Sequence, residues 1–409
     1  MRESIQTHSL NGSTGKIAAS SILVNRRGAL LKYSPSMFVL ALALLLVPAC
    51  ASNSDPIPAP ASVSDKESGL AGLVASIEEV LPSSPASAAM VFVDDSGATY
   101  AFAGDPGTDR STGFEFASVT KVMTAVLIAD LAGEGLIDLD ASFSSYFTGD
   151  DLSRAWDTVT ARSLLTHSAG MPAFPPNLNP ALLWLSGRAG DPFRGYTRDR
   201  LSEGIRRTRP GGTERWRYSN YGYAVLGYLA ELQTGSSYGL LMEERIFAPA
   251  GMNSAAVDRW VPGEVAVPLD RRGRPSNEFR FDAMAPAGAV RGSIEDAAAF
   301  LSAALRASSS VESPERLAKA LRESYVSQRG ESDWPYDMGL GWIRSLRGDD
   351  VIIWHNGGTA GASSFLGFAP EARAGLAILT NVGGLREIDG LALDFLTYIL
   401  TERKDPGLQ

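Results

Sequence analysis

The stretch FASVTKVMTAVLIADL, residues 116–131, decides how the rest of the chain is interpreted. Its apolar residues recur at helical spacing, which predicts a helix from Ser118 to Leu131. Because Ser118 and Lys121 are three positions apart, a helix places their side chains on one face, about 5–6 Å apart. A serine hydroxyl is a weak nucleophile that needs a base, and a desolvated lysine can be that base. An N-cap serine beside a solvated lysine explains the pair equally well when it is taken alone.

A second polar segment, Tyr218-Ser219-Asn220, comes just before a helix that is predicted to start near Ala224. In an extended segment, Tyr218 and Asn220 point to the same side. A tyrosine beside a lysine can act as a phenolate base and then as the acid for a leaving group. An asparagine can bind a substrate carbonyl and the lysine. The alternative is a turn with a half-buried tyrosine.

The third segment, Trp354-His355-Asn356-Gly357-Gly358, is predicted to follow a strand over 351–354. Glycines at the end of a strand permit a ligand to approach the backbone closely. A backbone N–H there and the free N–H of Ser118 at its helix start are candidate oxyanion donors. His355 would face the same cleft. The alternative is a strand end with a partly exposed histidine.

Hydrophobic patterning around these segments predicts helix, strands, helices, strands and helix in chain order. The predicted elements are a helix over 70–81, a hairpin of strands 88–93 and 98–103, a helix-rich section over about 132–285, a helix over 296–305, strands over 338–345, 351–354, 364–368 and 376–380, and a helix over about 387–401. This order indicates an α/β (α+β) protein in which both ends of the chain build one antiparallel sheet, with a helical part inserted between them.

The amino-terminal segment predicts export. The apolar run MFVLALALLLVPA, residues 37–49, is too short to span a bilayer, follows basic residues and precedes small ones, which is the signal-peptide pattern. The run ends at Cys50 and resembles a bacterial lipoprotein box, although Pro48 is unusual there. We expect a signal peptide over 1–50, lipidation of Cys50 and a flexible linker over 51–67 that is rich in Pro and Ser. The alternative is an ordinary secretory signal in which Cys50 is incidental.

Charge and composition exclude several classes of function. Of 37 basic and 46 acidic residues, five basic and one acidic lie in residues 1–50, so the remaining chain carries a net charge of −13. An acidic body argues against a nucleic-acid partner. A single cysteine forms no internal disulfide, and the three histidines have no metal-ligand spacing. We expect neither a metal nor another cofactor.

In this order, the three segments resemble the motifs of the serine β-lactamase and penicillin-binding-protein superfamily. The nearest resemblance is to class C β-lactamases, D-alanyl-D-alanine carboxypeptidases and family VIII esterases. Further stretches that match the family are residues 164–172, 218–227 and 246–252, and the resemblance covers about residues 70–400. It implies a β-lactamase/transpeptidase-like fold for a hydrolase domain over 68–405. The α/β part would cover about 68–116 and 288–405, and the helical part about 117–287.

The resemblance also implies a role for each motif residue. These residues are Ser118 as the acyl-accepting nucleophile, Lys121 as an aid to its deprotonation, Tyr218 as general base or acid, Asn220 as a positioner of substrate and lysine, and His355, Gly357 and Gly358 as substrate-binding residues. The N–H groups of Gly358 and Ser118 would form the oxyanion hole. His167 belongs to the stretch 164–172 and is expected to fix a loop rather than to touch substrate.

Two departures from the family pattern bear on the substrate. His355 stands where many relatives have a lysine that holds a substrate carboxylate, so it would share in anchoring a carboxylate or would polarise Tyr218. The cleft also looks more apolar, with Phe174 as a substrate-binding residue and Phe116, Trp216 and Trp354 as further liners or core residues.

We therefore expect a serine acyl hydrolase that forms a covalent acyl-enzyme with small-molecule esters or D-amino-acid peptides. Its expected location is the periplasm or cell surface, with a lipid anchor in the membrane. The alternatives are a class C-like β-lactamase and a non-catalytic lipoprotein that binds peptidoglycan peptides.

Overall fold

The computed structural model describes residues 23–24, 30–31, 66–147, 152, 154–178, 191–212, 216–260, 263–309, 315–328 and 337–404. The chain divides into two units, Met1–Leu44 and Leu45–Gln409. In the first unit, strand β1 (Leu23–Val24) pairs antiparallel with β2 (Leu30–Leu31). Cys50, the apolar run and residues 51–65 of the expected linker lie outside the described residues. Across the described ranges, no helix has the length and apolar character needed to cross a bilayer.

A seven-stranded antiparallel sheet is the centre of the second unit, and it draws its strands from both ends of the chain as the sequence predicted. Its strands are β3 (Ser87–Asp94), β4 (Gly97–Gly104), β8 (Asp337–Met338), β9 (Ile343–Arg347), β10 (Asp350–Gly358), β11 (Ser363–Ala369) and β12 (Ala374–Thr380). Their order across the sheet is β4-β3-β12-β11-β10-β9-β8. The amino-terminal hairpin joins the carboxy-terminal strands where Val91 on β3 lies opposite Ala377 on β12.

Both faces of this sheet are buried, because alternate side chains of each strand enter two separate hydrophobic clusters. On β3, Val91 belongs to one cluster and Phe92 to the other. Helices α1 (Lys66–Val80) and α10 (Glu387–Lys404) cover the face of Phe92. Helix α8 (Ile294–Ser309) packs on the face of Val91, and α9 (Arg316–Tyr325) packs beside it.

The inserted helical part lies on the same side as Val91 and consists mainly of short elements. Its α-helices are α2 (Thr120–Gly133), α3 (Ala161–Leu165), α4 (Arg198–Arg207), α5 (Asn220–Thr234), α6 (Tyr238–Met242) and α7 (Ala248–Ala250). Short 3₁₀ helices cover Ala117–Val119, Phe143–Tyr146, Arg154–Thr158 and Asp282–Ala287, and a π-helix covers Glu243–Phe247. A small sheet of order β5-β7-β6 joins Phe114–Glu115, Val290–Gly292 and Ala256–Val257.

Three features differ from the sequence expectations. The strand expected over 338–345 is two strands, because the segment between them turns at Gly341, which has a φ of +77°. The strand expected to end at Trp354 continues to Gly358, because β11 pairs with it from Ile353 to Gly358. Helix α9 was not predicted as a separate element.

Helix α5 packs closely against the 3₁₀ helix Asp282–Ala287. A Cβ atom on Gly227 would lie 2.1 Å from Cγ of Pro286, so only glycine allows α5 to approach this segment so closely. The carbonyl of Pro286 accepts a hydrogen bond from Thr124 on α2 at 2.8 Å. The contact therefore ties α5, α2 and residues 282–287 together.

We expect Gly227→Ala to lower the free energy of unfolding by about 1–3 kcal/mol, because an added methyl overpacks this contact. The matched control is Gly72→Ala in α1, where a Cβ would meet nothing within 4 Å. That change should stabilise the protein by about 0.5–1 kcal/mol, because alanine is the better helix former. Urea denaturation of the two variants measures both effects, and equal effects would contradict the packing assignment.

Candidate active site

Ser118 lies in a tight turn between β5 and α2. Ala117 has a φ of +47°, a left-handed conformation that costs a non-glycine residue about 1–2 kcal/mol. The turn is held on both sides, because Phe116 N–H donates to Val290 O at 2.9 Å and Ser364 Oγ donates to Phe116 O at 2.8 Å. Strain of this kind is typical of functional sites. The turn places Ser118 in the first helical turn, where the residue is 9% exposed.

Lys121 is fully buried, at 0% exposure, and its amine is directed at Ser118. Nζ lies 3.0 Å from Ser118 Oγ and 2.6 Å from the carbonyl oxygen of Ala287. Burial lowers the pKa of Lys121 well below its usual value of 10.5, because the charged ammonium loses its hydration. A neutral amine has a lone pair, so Lys121 can take a proton from the serine hydroxyl.

Tyr218 completes a three-residue cluster around the serine oxygen. Its hydroxyl donates to Ser118 Oγ at 3.0 Å, and Lys121 Nζ lies 4.9 Å from the centroid of its ring. The residues named from the first two motifs therefore meet, although 100 positions separate Ser118 from Tyr218. Ser118 Oγ has two proton-bearing groups in reach, and each of them can also accept a proton.

Asn220 is placed differently from the sequence expectation. It is not part of an extended segment with Tyr218 but the first residue of α5. Ser219 is the N-cap, and its Oγ accepts a hydrogen bond from Gly222 N–H at 2.8 Å. This cap starts the helix four residues before Ala224, so the period-two argument does not apply to Asn220. Asn220 is buried and next in the chain to this cap.

The third motif lies on β10 and approaches Ser118 through Gly357. A Cβ on Gly357 would stand 2.3 Å from Ser364 Oγ, 2.5 Å from Phe116 O and 2.9 Å from Ser118 N. Any side chain there would push the strand away from the turn that carries the serine. Glycine is needed at this position for close packing of backbone on backbone.

Gly358 is the last residue of β10, beyond the part of the strand that pairs with β9. Thr359 N–H donates to Ala362 O at 3.0 Å, so residues 359 and 362 form a hydrogen-bonded pair. Pairs alternate along antiparallel strands, and Gly358, opposite Ser363, therefore directs its N–H away from β11. The pairing of β10 with β9 ends at Trp354, so β9 does not cover this N–H.

His355 is buried at 1% exposure and lies on the same face of β10 as Gly357. Burial, followed by the nearby Lys121, lowers the pKa of His355 to about 3. The imidazole is therefore neutral at pH 7. Its Nδ1 bonds to the carbonyl of Asn356, which makes Nδ1 the protonated nitrogen and Nε2 an acceptor. The third motif supplies no positive charge here.

The aromatic residues named as liners differ in burial. Phe174 is half-buried, and its ring lies 5.9 Å from that of the buried Phe193. Trp216 is also half-buried. Phe116 is completely buried, and Trp354 points to the opposite face of the sheet, where it stacks on Phe365 at 5.6 Å. Two of the four suggested liners, Phe116 and Trp354, are thus core residues.

A buried carboxylate that the sequence analysis missed joins the two sides of the site. Glu115 Oε2 accepts from Thr359 Oγ1 at 2.7 Å, and Oε1 accepts from Phe279 N–H at 3.1 Å. Burial raises the pKa of Glu115. The bond to Thr359 fixes the residue after Gly358 to the strand that leads into Ala117. Only its place two residues before the strained turn could have drawn attention to it.

The described part of the chain contains no group of three or more His, Cys, Asp or Glu side chains arranged to hold a metal ion. The groups that meet at this site are a serine hydroxyl, a buried lysine amine with a lowered pKa, a phenol and backbone N–H groups. Such an arrangement can transfer an acyl group.

Comparison with known sequences identifies curated relatives. The chain is 25% identical over 309 residues to "Penicillin-binding protein 4*" of Bacillus subtilis (strain 168), which is 70% of this chain and 64% of that protein. It is 26% identical over 312 residues to "Unguisins hydrolase ungD'" of Aspergillus campestris, which is 69% of this chain and 55% of that protein. The chain therefore spans less than two thirds of the length of these relatives.

Solved structures share the fold. A class C β-lactamase from Rhodobacter sphaeroides superposes with a TM-score of 0.67 at 20% identity, over 82% of this chain and 100% of the other. A β-lactamase from Sulfitobacter sp. EE-36 gives 0.66 at 19% identity, over 82% and 97%. A sequence model of the family described as Beta-lactamase matches residues 74–397. The chain belongs to the beta-lactamase family.

Proposed function

We propose that this protein is a serine acyl hydrolase that works through a covalent acyl-enzyme on Ser118. One observation carries the proposal: Ser118 Oγ lies 3.0 Å from both Lys121 Nζ and Tyr218 OH. A site that only binds ligands has no need for a buried lysine beside a serine. The family membership and the named hydrolases among the relatives agree with this chemistry.

In the acylation step, Ser118 Oγ attacks the substrate carbonyl while its proton passes to neutral Lys121, directly or through Tyr218. The carbonyl oxygen becomes negative and receives hydrogen bonds from the N–H groups of Ser118 and Gly358. The tetrahedral intermediate then collapses, and the bond to the leaving group breaks. The leaving oxygen or nitrogen takes the proton from Tyr218, which leaves an ester on Ser118.

In the deacylation step, a water molecule replaces the leaving group. Tyr218 takes a proton from this water, whose oxygen attacks the ester carbonyl. The same two N–H groups stabilise the second intermediate. Ser118 Oγ leaves and recovers its proton, and the carboxylic acid departs. Lys121 and Tyr218 act as one coupled unit in both steps: the proton that Lys121 takes from Ser118 in acylation returns to Ser118 Oγ in deacylation.

The neutral imidazole of His355 favours uncharged esters as substrates. A carboxylate-bearing substrate gains affinity from a fixed cation, and the pKa of about 3 leaves His355 uncharged at pH 7. The half-buried Phe174 offers an apolar surface to an acyl group. D-Amino-acid peptides are the second candidate, because relatives from Escherichia coli carry the name "Putative D-alanyl-D-alanine carboxypeptidase". β-Lactams come third.

We place this activity at the cell envelope on sequence grounds alone. The apolar run over 37–49 and Cys50 behind it are the features that carry export and lipid attachment. The stretch from 51 to 65 would then separate the enzyme from the membrane surface.

The direct test is to assay the protein with p-nitrophenyl butyrate, a D-Ala-D-Ala peptide and nitrocefin. We expect kcat/KM for the butyrate ester to exceed that for the carboxylate-bearing peptide by about tenfold or more, the value of one missing charged hydrogen bond. Ser118→Ala should lower ester hydrolysis by about a thousandfold or more. Equal rates in Ser118→Ala and wild type would contradict the proposed function.

The pH profile of the ester reaction tests Lys121. The proton acceptor is the neutral amine, so kcat/KM should rise with pH and then level off. Because burial lowers the pKa of Lys121, the midpoint should lie well below 10.5. A profile that rises only around 10.5 would mean that Lys121 is charged and hydrated and does not act as the base.

Gly357→Ala tests the close approach of β10 to Ser118. The added methyl would collide with Phe116 O and Ser118 N. We expect kcat/KM to fall by about 10²–10³, the usual cost of disturbing an oxyanion hole. In Gly358→Ala, a Cβ meets nothing within 4 Å and the N–H is retained, so the change should be roughly twofold. Equal losses in the two variants would contradict the assignment.

His355→Lys tests the choice of substrate charge. Lysine is longer than histidine, so its ammonium can reach water beyond the buried place of the imidazole and stay charged. The ratio of kcat/KM for nitrocefin to that for p-nitrophenyl butyrate should then rise by roughly tenfold to a hundredfold. The measurement is made at pH 8 with both enzymes folded and active. An unchanged ratio would show that His355 does not set the charge preference.

A further inference from the structure

The loop that follows α3 wraps around the segment that carries Tyr218. Tyr223 OH donates to the carbonyl of Leu165 at 2.8 Å, and Ser219 Oγ donates to the carbonyl of Pro172 at 2.7 Å. These bonds anchor both ends of the loop, residues 165–172, to α5 and its cap. Within the loop, one residue contacts Tyr218 itself.

That residue is His167, which holds the chain on both sides of Tyr218. Its carbonyl oxygen accepts from Arg217 N–H at 2.8 Å, and its ring Nδ1 accepts from Ser219 N–H at 3.1 Å. The two bonds fix the residues before and after the tyrosine. Both donors are backbone groups, so they constrain the main chain of Tyr218 and the direction in which its side chain leaves it.

The imidazole of His167 also packs directly on the tyrosine ring. The ring centroids are 4.4 Å apart with planes tilted by 41°, and the ring of Tyr223 lies 5.3 Å away on the same histidine. His167 is buried, at 3% exposure. The phenol ring of Tyr218 is therefore held by a buried ring packed against it as well as by its hydrogen-bonded backbone.

The hydrogen bonding defines the form of His167 that can do this. Nδ1 accepts a hydrogen bond, so the neutral ring carries its own proton on Nε2, which is buried and has no hydrogen-bond partner. Burial, followed by Lys121 and His355, lowers the pKa of His167 well below 6.5. The acceptor at Nδ1 is thus available throughout the pH range in which enzymes of this kind are assayed.

The backbone of His167 is strained, with a φ of +60°. This left-handed conformation is unfavourable for most residues, and asparagine and glycine adopt it most readily. In this conformation the carbonyl and the ring of His167 both point toward the segment that carries Tyr218. The two hydrogen bonds to Arg217 and Ser219 use both of these groups.

We propose that His167 is a positioning residue that sets Tyr218 OH at its 3.0 Å distance from Ser118 Oγ. It touches neither substrate nor the reacting oxygen and acts through Tyr218. This inference rests on the proposed function and adds a residue to it. Loss of the Nδ1 acceptor should slow proton transfer in both acylation and deacylation while substrate binding stays unchanged.

The experiment compares His167→Leu with His167→Asn on p-nitrophenyl butyrate. The two side chains have nearly the same shape, but only asparagine offers an oxygen near the place of Nδ1. We expect His167→Leu to lower kcat by about tenfold to a hundredfold, the cost of a slight misplacement of a reacting group, with KM unchanged. His167→Asn should retain kcat within about fivefold of the wild type. If His167→Leu does not fold, His167→Gly replaces it, because glycine adopts the positive φ and also lacks the acceptor.

Two controls separate positioning from general damage to the loop. Ser168→Ala removes a hydroxyl that bonds to Thr166 Oγ1 at 2.9 Å and to the carbonyl of Ser163 at 3.4 Å, and should leave kcat unchanged. In a Tyr218→Phe background, which should itself lose about 10²–10⁴ in kcat, His167→Leu should have almost no further effect. Losses of kcat are not additive when one residue acts through the other, whereas losses from independent structural damage are additive.

The outcomes distinguish failure of the positioning role of His167 from failure of the proposed hydrolase function. Equal losses in His167→Leu and His167→Asn, or a full effect of His167→Leu in the Tyr218→Phe background, would overturn the positioning role while wild-type turnover upholds the hydrolase. A wild-type protein that neither hydrolyses the ester nor reacts with a fluorophosphonate at Ser118 would overturn the proposed function, and the positioning role with it.

Discussion

The burial of Lys121 is the constraint on which the site depends. An ammonium group without water is costly unless it is paired. Here burial alone lowers the lysine pKa, and the amine bonds to Ser118 Oγ and to the carbonyl of Ala287. The neutral amine is therefore both the cheaper form in this environment and the form that can activate a serine. Whatever keeps water away from Lys121 also lowers its pKa, so the packing and the proposed role of Lys121 as a base have one physical cause.

Several distant segments must meet for this burial to hold. Helix α2 brings the lysine, the 282–287 segment covers it, and α5 presses on that segment through Gly227. The sheet approaches from the other side, where Gly357 lets β10 lie against the turn at Ser118. Hydrogen bonds to Glu115 and His167 then hold two further segments in place. Glu115 binds Thr359, the residue after Gly358, and His167 binds the backbone next to Tyr218. Rigid backbone on all sides preorganises the reacting groups.

The sequence predicted the sheet, the inserted helices and the meeting of Ser118, Lys121 and Tyr218, because these follow from hydrophobic period and from motifs with fixed roles. It misplaced what depends on tertiary contact. Asn220 was expected in an extended segment, but the Ser219 cap draws it into α5. The strand of His355 was expected to end early, but pairing with β11 prolongs it through two glycines. Trp354 and Phe116 could not be assigned to the core until the faces of the strand and turn were known. Glu115 has no signal in the local pattern, and His167, which was expected to fix a loop, gave no indication of its partners Arg217 and Ser219.

The proposed mechanism depends on an acyl group that is carried on Ser118. Peptide mapping by mass spectrometry detects this group in enzyme that is mixed with p-nitrophenyl butyrate and quenched in acid during turnover. We expect one butyryl group on the peptide that contains Ser118, in wild type and in larger amount in Tyr218→Phe, where water attack is slower than acylation. Turnover with no adduct, or with the adduct on another residue, would contradict it.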